Sequence, residues 1–404
     1  MQTTMQQDKT VVLAFSGGLD TSFCVLDLLQ QGFRVETVYV NSGGGDAHEA
    51  EHIKARALSL GADRHHEIDI REALWTEFVL PLLHGGGRYQ GQYPLLCSDR
   101  YLIVQECLKL CDALNTPYFA HGCTAMGNDQ MRFDQSVHSL GHYSIIAPIR
   151  DLQKRCDDIR SYEIEVLKQA GHEVALEHKR YSVNENLLGV TWSGSEIDEY
   201  QMPADDAWRW CKPRAHWPDE TLHLDITFRQ GVPVALNHQA LTGAEFLQKL
   251  NKILGNYGVG RAMYTGDTVI GLKGRILFEC PGLEGLMVAA QALLECVSTQ
   301  KQNQFRPLVA QQWCDLVYSG FYFEPHKQDL EAYLKRAVNY ANGTVRISTD
   351  GGQVVATAID APARLQHRDI VYAQKAPWTP EQAEGFIKLA GLSSTMAAQV
   401  VQHD

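Results

Sequence analysis

The chain has 404 residues, 45% of them hydrophobic and 21% charged, with a formal net charge of −12. That length suits two domains with a terminal appendage, and the composition is that of an ordinary globular protein. No apolar run reaches the ~20 residues of a membrane span, and an acidic chain without a long lysine or arginine run argues against nucleic acid as a partner.

The N-terminal MQTTMQQDKT has neither a basic start nor an apolar signal core, which reads as cytosolic. Ten cysteines are scattered without a CxxC, the closest pair being Cys107 and Cys111. They read as reduced, buried thiols, and the sixteen histidines form no HExxH, so no protein metal cluster is expected.

Thr10 to Phe15 is a short β-branched and apolar run, the pattern of a fully buried strand. Ser16-Gly17-Gly18 breaks it. From Thr21 the residues Phe23, Val25, Leu26, Leu28 and Leu29 fall at helical spacing up to Gly32. Strand, glycine turn and helix in that order make an anion site. The glycines let backbone N–H groups approach a ligand, Ser16, Thr21 and Ser22 add hydroxyls, and the positive end of the helix faces the same spot. The turn is neither GxxxxGK[ST] nor GxGxxG. A plain surface turn is the alternative; the buried strand before it and Asp20 among hydroxyls after it favour a ligand.

Arg34 to Val40 reads as a second strand, followed by a helix from an Asp46 N-cap to Leu60, and His65 to Ile70 reads as a third strand. Repeated β–α–β units imply a parallel sheet with helices on both faces. Ligands then sit beyond the carboxyl ends of the strands, where the Ser16 turn lies together with Val40-Asn41, a candidate adenine wall. His84 to Tyr93, with four glycines, reads as a mobile loop near the site or a surface linker. A helix over Ser98 to Leu114 and a strand over Tyr118 to His121 lead into the stretch His121 to Phe133. It offers Thr124, Asn128, Asp129 and Arg132 to the same crevice, a set suited to a zwitterionic amino acid. On residue chemistry alone, an Asn-Asp turn with a solvent salt bridge fits equally well.

Ile145 to Pro148 closes the first domain, and Asp151 to Ala170 reads as one amphipathic helix. Pro203 to Pro218 is irregular and aromatic, Leu222 to Phe228 and Val232 to Leu236 form a hairpin, and Leu241 to Leu254 is helical. Helices over Leu283 to Thr299 and Phe305 to Gly320 precede strands over Thr344 to Thr349 and Gln353 to Ile359. Thr379 to Val401 carries Phe386, Ile387 and Leu389 on a short helix that cannot bury itself alone and so suits docking on another subunit. The expected class is α/β: a doubly wound parallel sheet over 1–170, a second α+β domain over 171–362 and a helical tail over 363–404.

Two motifs carry a family resemblance. Ala14-Phe15-Ser16-Gly17-Gly18-Leu19-Asp20-Thr21-Ser22 resembles the pyrophosphate loop of the N-type ATP pyrophosphatases, whose fold is adenine nucleotide alpha hydrolase-like. Gly122-Cys123-Thr124-Ala125-Met126-Gly127-Asn128-Asp129-Gln130-Met131-Arg132-Phe133 fits GxTx[KM]GNDxxRF and resembles the second signature of the argininosuccinate synthases. Tyr181 to Leu187, Gly258 to Arg261 and Gly271 to Arg275 are similar to further pieces of that family, so the resemblance spans essentially the whole chain.

The resemblance implies an ATP-dependent ligase that adenylates citrulline, releases pyrophosphate and lets aspartate displace AMP. It implies Mg²⁺ with the ATP, a homotetramer, and no nucleophilic side chain. ATP contacts are implied for Ala14, Phe15, Ser16, Gly17, Gly18, Leu19, Asp20, Thr21, Ser22, Val40 and Gly122. Citrulline contacts fall on Tyr93, Ser98, Asn128, Arg132, Ser182 and Thr191, and aspartate contacts on Thr124, Asn128 and Asp129. Asp20, Asp129 and Arg132 are the residues expected to carry the chemistry.

The chain departs from the family pattern at Gly266, where a citrulline-contacting glutamate is usual, at Phe278 for a tyrosine, and at Cys97 for a threonine. A lost carboxylate removes an ammonium partner worth roughly 1.5–3 kcal/mol. Either Asp267, Glu279 or Asp99 supplies that charge, or the substrate is an N-acylated citrulline. The rivals are another superfamily member, such as a GMP, NAD or asparagine synthetase or a tRNA-thiolating enzyme, and a non-catalytic nucleotide-binding regulator on the same fold. The GNDQMRF stretch speaks against the first, as does the missing amidotransferase domain.

Overall fold

The computed structural model describes residues 9–45, 47–173, 181–204, 207–367, 369–374 and 376–401. The first part of the chain gives β1 (Lys9–Ala14), α1 (Leu19–Gln30), β2 (Phe33–Asn41), α2 (Ala47–Ser59), β3 (Arg64–Asp69), α3 (Arg71–Leu74), α4 (Leu80–Gly85), α5 (Asp99–Ala113), β4 (Tyr118–Ala120), α6 (Asp129–Leu140), β5 (Ser144–Ile146), α7 (Pro148–Gln153) and α8 (Ile159–Gln169). The expected N-cap, Asp46, lies outside the described residues.

These strands form one sheet in the order β3-β2-β1-β4-β5, parallel throughout. Successive side chains of β1 enter two different cores. Val11 and Leu13 pack with Phe23 and Leu28 of α1 and Ile53 of α2, whereas Val12 and Ala14 join the core that α4 and α5 share. Strand alternation thus explains why β1 is apolar at every position, and it makes the sheet doubly wound. The strand order reverses between β1 and β4, so the crevice beyond their carboxyl ends is the natural ligand site.

Two antiparallel sheets follow. β6 (Ser182–Asn186), β7 (Gly189–Ser193), β11 (Arg261–Asp267) and β12 (Lys273–Glu279) make a four-stranded sheet in the order β11-β12-β7-β6. β8 (Leu222–Arg229), β9 (Val232–Leu236), β10 (Gln239–Ala240), β13 (Gly343–Gly351) and β14 (Gln353–Asp360) make the other, in the order β10-β9-β8-β13-β14. Helices α9 (Gly243–Gly255), α10 (Pro281–Val297), α11 (Gln300–Ser319) and α12 (Pro325–Ala337) complete this part, and α13 (Pro380–Val401) follows. The chain divides into two compact units, Met1–Ala363 and Arg364–Asp404.

Three expectations need correction. The helix read over Asp151 to Ala170 is two helices, because Asp158 caps α8 by accepting from the Ser161 N–H at 3.1 Å and stops the turn before it. The loop from His84 to Tyr93 is packed rather than free: Arg88 pairs with Glu284 at 2.6 Å, Tyr89 stacks on Tyr318 at 3.6 Å, and Tyr93 is buried. The tail helix is not short but 22 residues long, and it buries none of them.

Candidate active site

The β1–α1 turn is shaped by its glycines. Gly17 has φ +76°, and a Cβ there would stand 2.9 Å from Ile53 Cγ1 of α2, so a side chain is excluded twice over. Gly18 is the N-cap of α1 and gives no side-chain cap, which leaves amide groups of the first helical turn for a ligand. Around the turn, Ser16 Oγ lies 3.2 Å from Thr21 Oγ1, and Ser22 Oγ donates to Gly18 O at 2.6 Å. Arg56 of α2 donates to Ser22 Oγ at 2.7 Å, placing a cation beneath the turn. Asp20 sits at its rim; partial desolvation lifts its carboxyl above the ordinary value, Arg160 opposing.

The loop leaving β4 abuts the same turn. A Cβ on Gly122 would stand 3.2 Å from Thr21 Cγ2, so the two motif loops meet at the strand-order reversal. His121 anchors the second loop. Its Nδ1 accepts from the Cys123 N–H at 3.1 Å, so Nε2 carries the proton and donates to Asp134 at 2.9 Å, with Arg150 on the other Asp134 oxygen at 2.6 Å. Burial keeps this imidazole below its usual value despite Asp134, so the ring is neutral. Gln153 holds the Ala125 N–H at 2.7 Å and Gln130 the Ala125 carbonyl at 2.6 Å. Thr124 Oγ1 accepts from the Met126 N–H at 3.4 Å.

Past this loop, α6 presents the amino-acid set. Asp129 uses both carboxylate oxygens: Oδ1 accepts from Arg132 at 2.7 Å and Oδ2 from Arg100 at 3.0 Å, with a third of its side chain still open. Burial alone would raise this carboxyl; the two guanidiniums overcome it and hold it at about 2. Arg132 is buried, donates to Tyr318 O at 3.0 Å and lies over the Tyr318 ring at 4.9 Å. Asn128 donates to the Tyr318 hydroxyl at 3.0 Å and accepts the Val269 N–H at 2.9 Å. Tyr318 reaches α6 because Gly320, at φ +100°, ends α11 against Met131, where a Cβ would meet Met131 Cγ at 3.0 Å.

The four-stranded sheet supplies the facing wall. Its register places Asn184, Thr191 and Phe278 in one row, with Ser182 on the same face two residues along β6. Arg100 donates to Asn184 at 2.5 Å, and Tyr93 meets Phe278 edge-on at 5.7 Å, so this face closes over α5 and α6. Ser98 is turned inward, fully buried, donating to Leu95 O at 2.6 Å. The fold thus brings together the Ser16 turn, Gly122, Asn128, Asp129, Arg132, Tyr93 and Thr191. Sequence reasoning missed Arg100, Asn184 as its partner, and Tyr318. The adjacent Asp99 and Arg100 in the first turn of α5, ahead of the apolar run Tyr101 to Val104, were the available signal for Arg100; nothing local marks Tyr318.

The departures have structural counterparts. A Cβ on Gly266 would stand 2.1 Å from the Tyr264 hydroxyl and 2.5 Å from Gln90 Oε1, so those groups fill the place of a longer side chain. None of the three substitute carboxylates is uncommitted. Asp267 pairs with Lys273 at 2.5 Å and with Gln90 at 2.7 Å. Glu279 accepts the N–H groups of Arg209, Trp210 and Cys211, and Asp99 is bound by Arg100 at 2.8 and 2.9 Å.

Comparison with known proteins matches residues 10–171 to the arginosuccinate synthase N-terminal HUP domain and residues 181–397 to the arginosuccinate synthase C-terminal domain. The argininosuccinate synthase of Xanthomonas campestris is 52% identical over 392 residues, covering 97% of this chain and 99% of its own. That of Xylella fastidiosa is 50% identical over 97% and 98%, and that of Methanocaldococcus jannaschii 34% over 96% and 98%. The chain belongs to the argininosuccinate synthase family.

Proposed function

We propose that this enzyme condenses citrulline with aspartate at the cost of ATP cleaved to AMP and pyrophosphate. The observation that carries the reading is the meeting of the two motif loops at the β1/β4 reversal, with the Asp129–Arg132 pair directly beyond them. The phosphates would lie on the α1 N-terminus and the Ser16, Thr21 and Ser22 hydroxyls, with Val40 beside the adenine. The ureido oxygen of citrulline attacks the α-phosphate in line, forming the O–P bond as the bond to pyrophosphate breaks. Aspartate's nitrogen then displaces AMP from the activated carbon. Arg132, Asn128, Thr191 and Ser182 would orient citrulline, and Thr124 and Asp129 aspartate. Catalysis rests on positioning and charge stabilisation, with Arg56 beneath the turn adding to the field on the leaving pyrophosphate.

Among the described residues no group of three or more His, Cys, Asp or Glu side chains is placed to hold a metal. Mg²⁺ fits instead as the companion of the nucleotide, since that ion is commonly held by one or two carboxylates plus substrate phosphates. Asp20 at the rim of the turn would be its protein ligand, and the ion would neutralise phosphate charge.

The engagement of Asp99, Asp267 and Glu279 gives the N-acylated substrate its one supporting observation. The closed packing of Tyr93, Tyr264 and Phe278, none more than 3% exposed, speaks for the smaller free citrulline. The deciding assay is pyrophosphate release from Mg·ATP with citrulline or N-acetylcitrulline, with and without aspartate. Release that requires citrulline is expected; release with N-acetylcitrulline alone would reverse the choice. Release with neither would leave a nucleotide-binding regulator. The long tail helix, exposing Phe386, Ile387 and Leu389, fits assembly as a homotetramer. No described helix is long and apolar enough to cross a membrane, and small-molecule substrates in the cytosol complete the reading.

A further inference from the structure

Arg100 has the densest set of polar partners in the crevice, and neither motif contains it. Its guanidinium spends every edge: Nε on Asp129, one terminal nitrogen on both oxygens of Asp99, the other on Asn184 of β6. With Arg132 on the opposite oxygen, Asp129 lies between two cations while a third of its side chain faces the crevice.

This arrangement bears on proton loss from the attacking nitrogen, and the point rests on the ligase reading above. Aspartate arrives as an ammonium and reacts as an amine. An unshielded carboxylate beside that nitrogen would bind it well and also hold its proton, because a nearby opposite charge favours the charged form. A carboxylate shared by two guanidiniums still accepts an N–H hydrogen bond but exerts far less pull on the proton. We propose that Arg100 is a positioning residue for the second half-reaction: it fixes Asp129 toward the crevice and offsets its charge, so that bound aspartate is held yet readily deprotonated. Of the two protons the nitrogen gives up, one goes to water and one to the isourea nitrogen. Its lone pair forms the C–N bond, the C–O electron pair leaves on AMP, and the product's positive charge rests on its guanidinium. Asn184 adds the second sheet to the device, since Arg100 is in place only when β6 lies over α5.

The charged and titratable groups facing Asp129 are Arg132 on its own helix, Arg100, Asp99, Cys97 and Tyr101 from the α5 side, and Cys123 from the β4 loop. Tyr318 of α11 faces it through Arg132 and Asn128. Among the described residues only Arg100 and Arg132 pair with Asp129 as cations, so loss of Arg100 removes one of the two.

The test compares the full-length enzyme with Arg100→Met and Arg100→Lys by initial rates. In Arg100→Met the kcat at saturating aspartate should fall at least tenfold while the KM values for ATP and citrulline stay within twofold. The acid limb of its kcat–pH profile should move to higher pH, and Arg100→Lys should recover part of both effects. An unmoved acid limb, or KM values for all three substrates rising together, would overturn the proposal and leave Arg100 a fold residue. Should Arg100→Met be insoluble, Arg100→Lys and Asn184→Ala read the same two quantities. Wild-type enzyme that releases no pyrophosphate with citrulline refutes the ligase reading itself, a separate outcome.

Discussion

Asp129 and Glu163 are two carboxyls treated oppositely by their surroundings, and both can be tested one side chain at a time. Deleting Asp129 to alanine would take from Arg132 its carboxylate and leave Arg100 to Asp99 and Asn184, a cost on the order of 3–5 kcal/mol. Asp129→Asn keeps the shape, and initial rates should show its KM for aspartate at least tenfold above wild type. Glu163 is buried on α8 with Oε1 lacking a hydrogen-bond partner, and burial lifts its carboxyl to about 8, Asp20 adding to the rise and Arg160 opposing it. The folded protein therefore keeps a proton that the unfolded chain releases above about 4.3. This group's contribution to stability is full below that value and declines as pH rises through it toward 8. Glu163→Gln should match wild type near pH 4–5 and gain on the order of 3 kcal/mol by pH 8 in urea unfolding. At this scale the sequence was legible where function is local: Ser16 to Ser22 and Thr124 to Arg132 are contiguous runs. Arg100 meets Asn184 across 84 positions and Asn128 meets Tyr318 across 190, so no spacing rule could join them.

Elements were legible where hydrophobic period and punctuation agreed. β1, the Ser16 turn and α1 follow from an apolar run, two glycines and a 3.6-residue period, and the structure keeps all three. The break between α7 and α8 was hidden because apolar spacing continues through Asp151 to Ala170 while Asp158 caps a new helix. The His84 to Tyr93 loop looked free because glycine content reports backbone freedom and says nothing about distant partners such as Tyr318. For the turn itself, Gly17→Ala forces a side chain into a left-handed conformation costing on the order of 1 kcal/mol and pushes it against Ile53. Its KM for ATP is expected to rise at least tenfold with little change for aspartate. Equal losses for all three substrates would instead mean general unfolding, which circular dichroism would register.

At the scale of the whole molecule, alternation along β1 between two cores makes the parallel sheet, and the sheet's order puts both motif loops at one reversal. The sequence implied a doubly wound sheet but not the order β3-β2-β1-β4-β5, because order depends on crossovers that leave no local mark. The proposed homotetramer gives the second unit, Arg364–Asp404, a testable part in assembly. Sedimentation of the full chain should give four times the chain mass, and a chain ended at Ala363 should give a smaller species. Adenylation of the ureido oxygen is the step on which the mechanism turns, and isotope transfer reports it. Citrulline labelled with ¹⁸O at the ureido oxygen, turned over with Mg·ATP and aspartate, should deliver its label to the phosphate of AMP. Unlabelled AMP formed alongside argininosuccinate would mean that citrulline never bonded to the α-phosphate, and would contradict the mechanism.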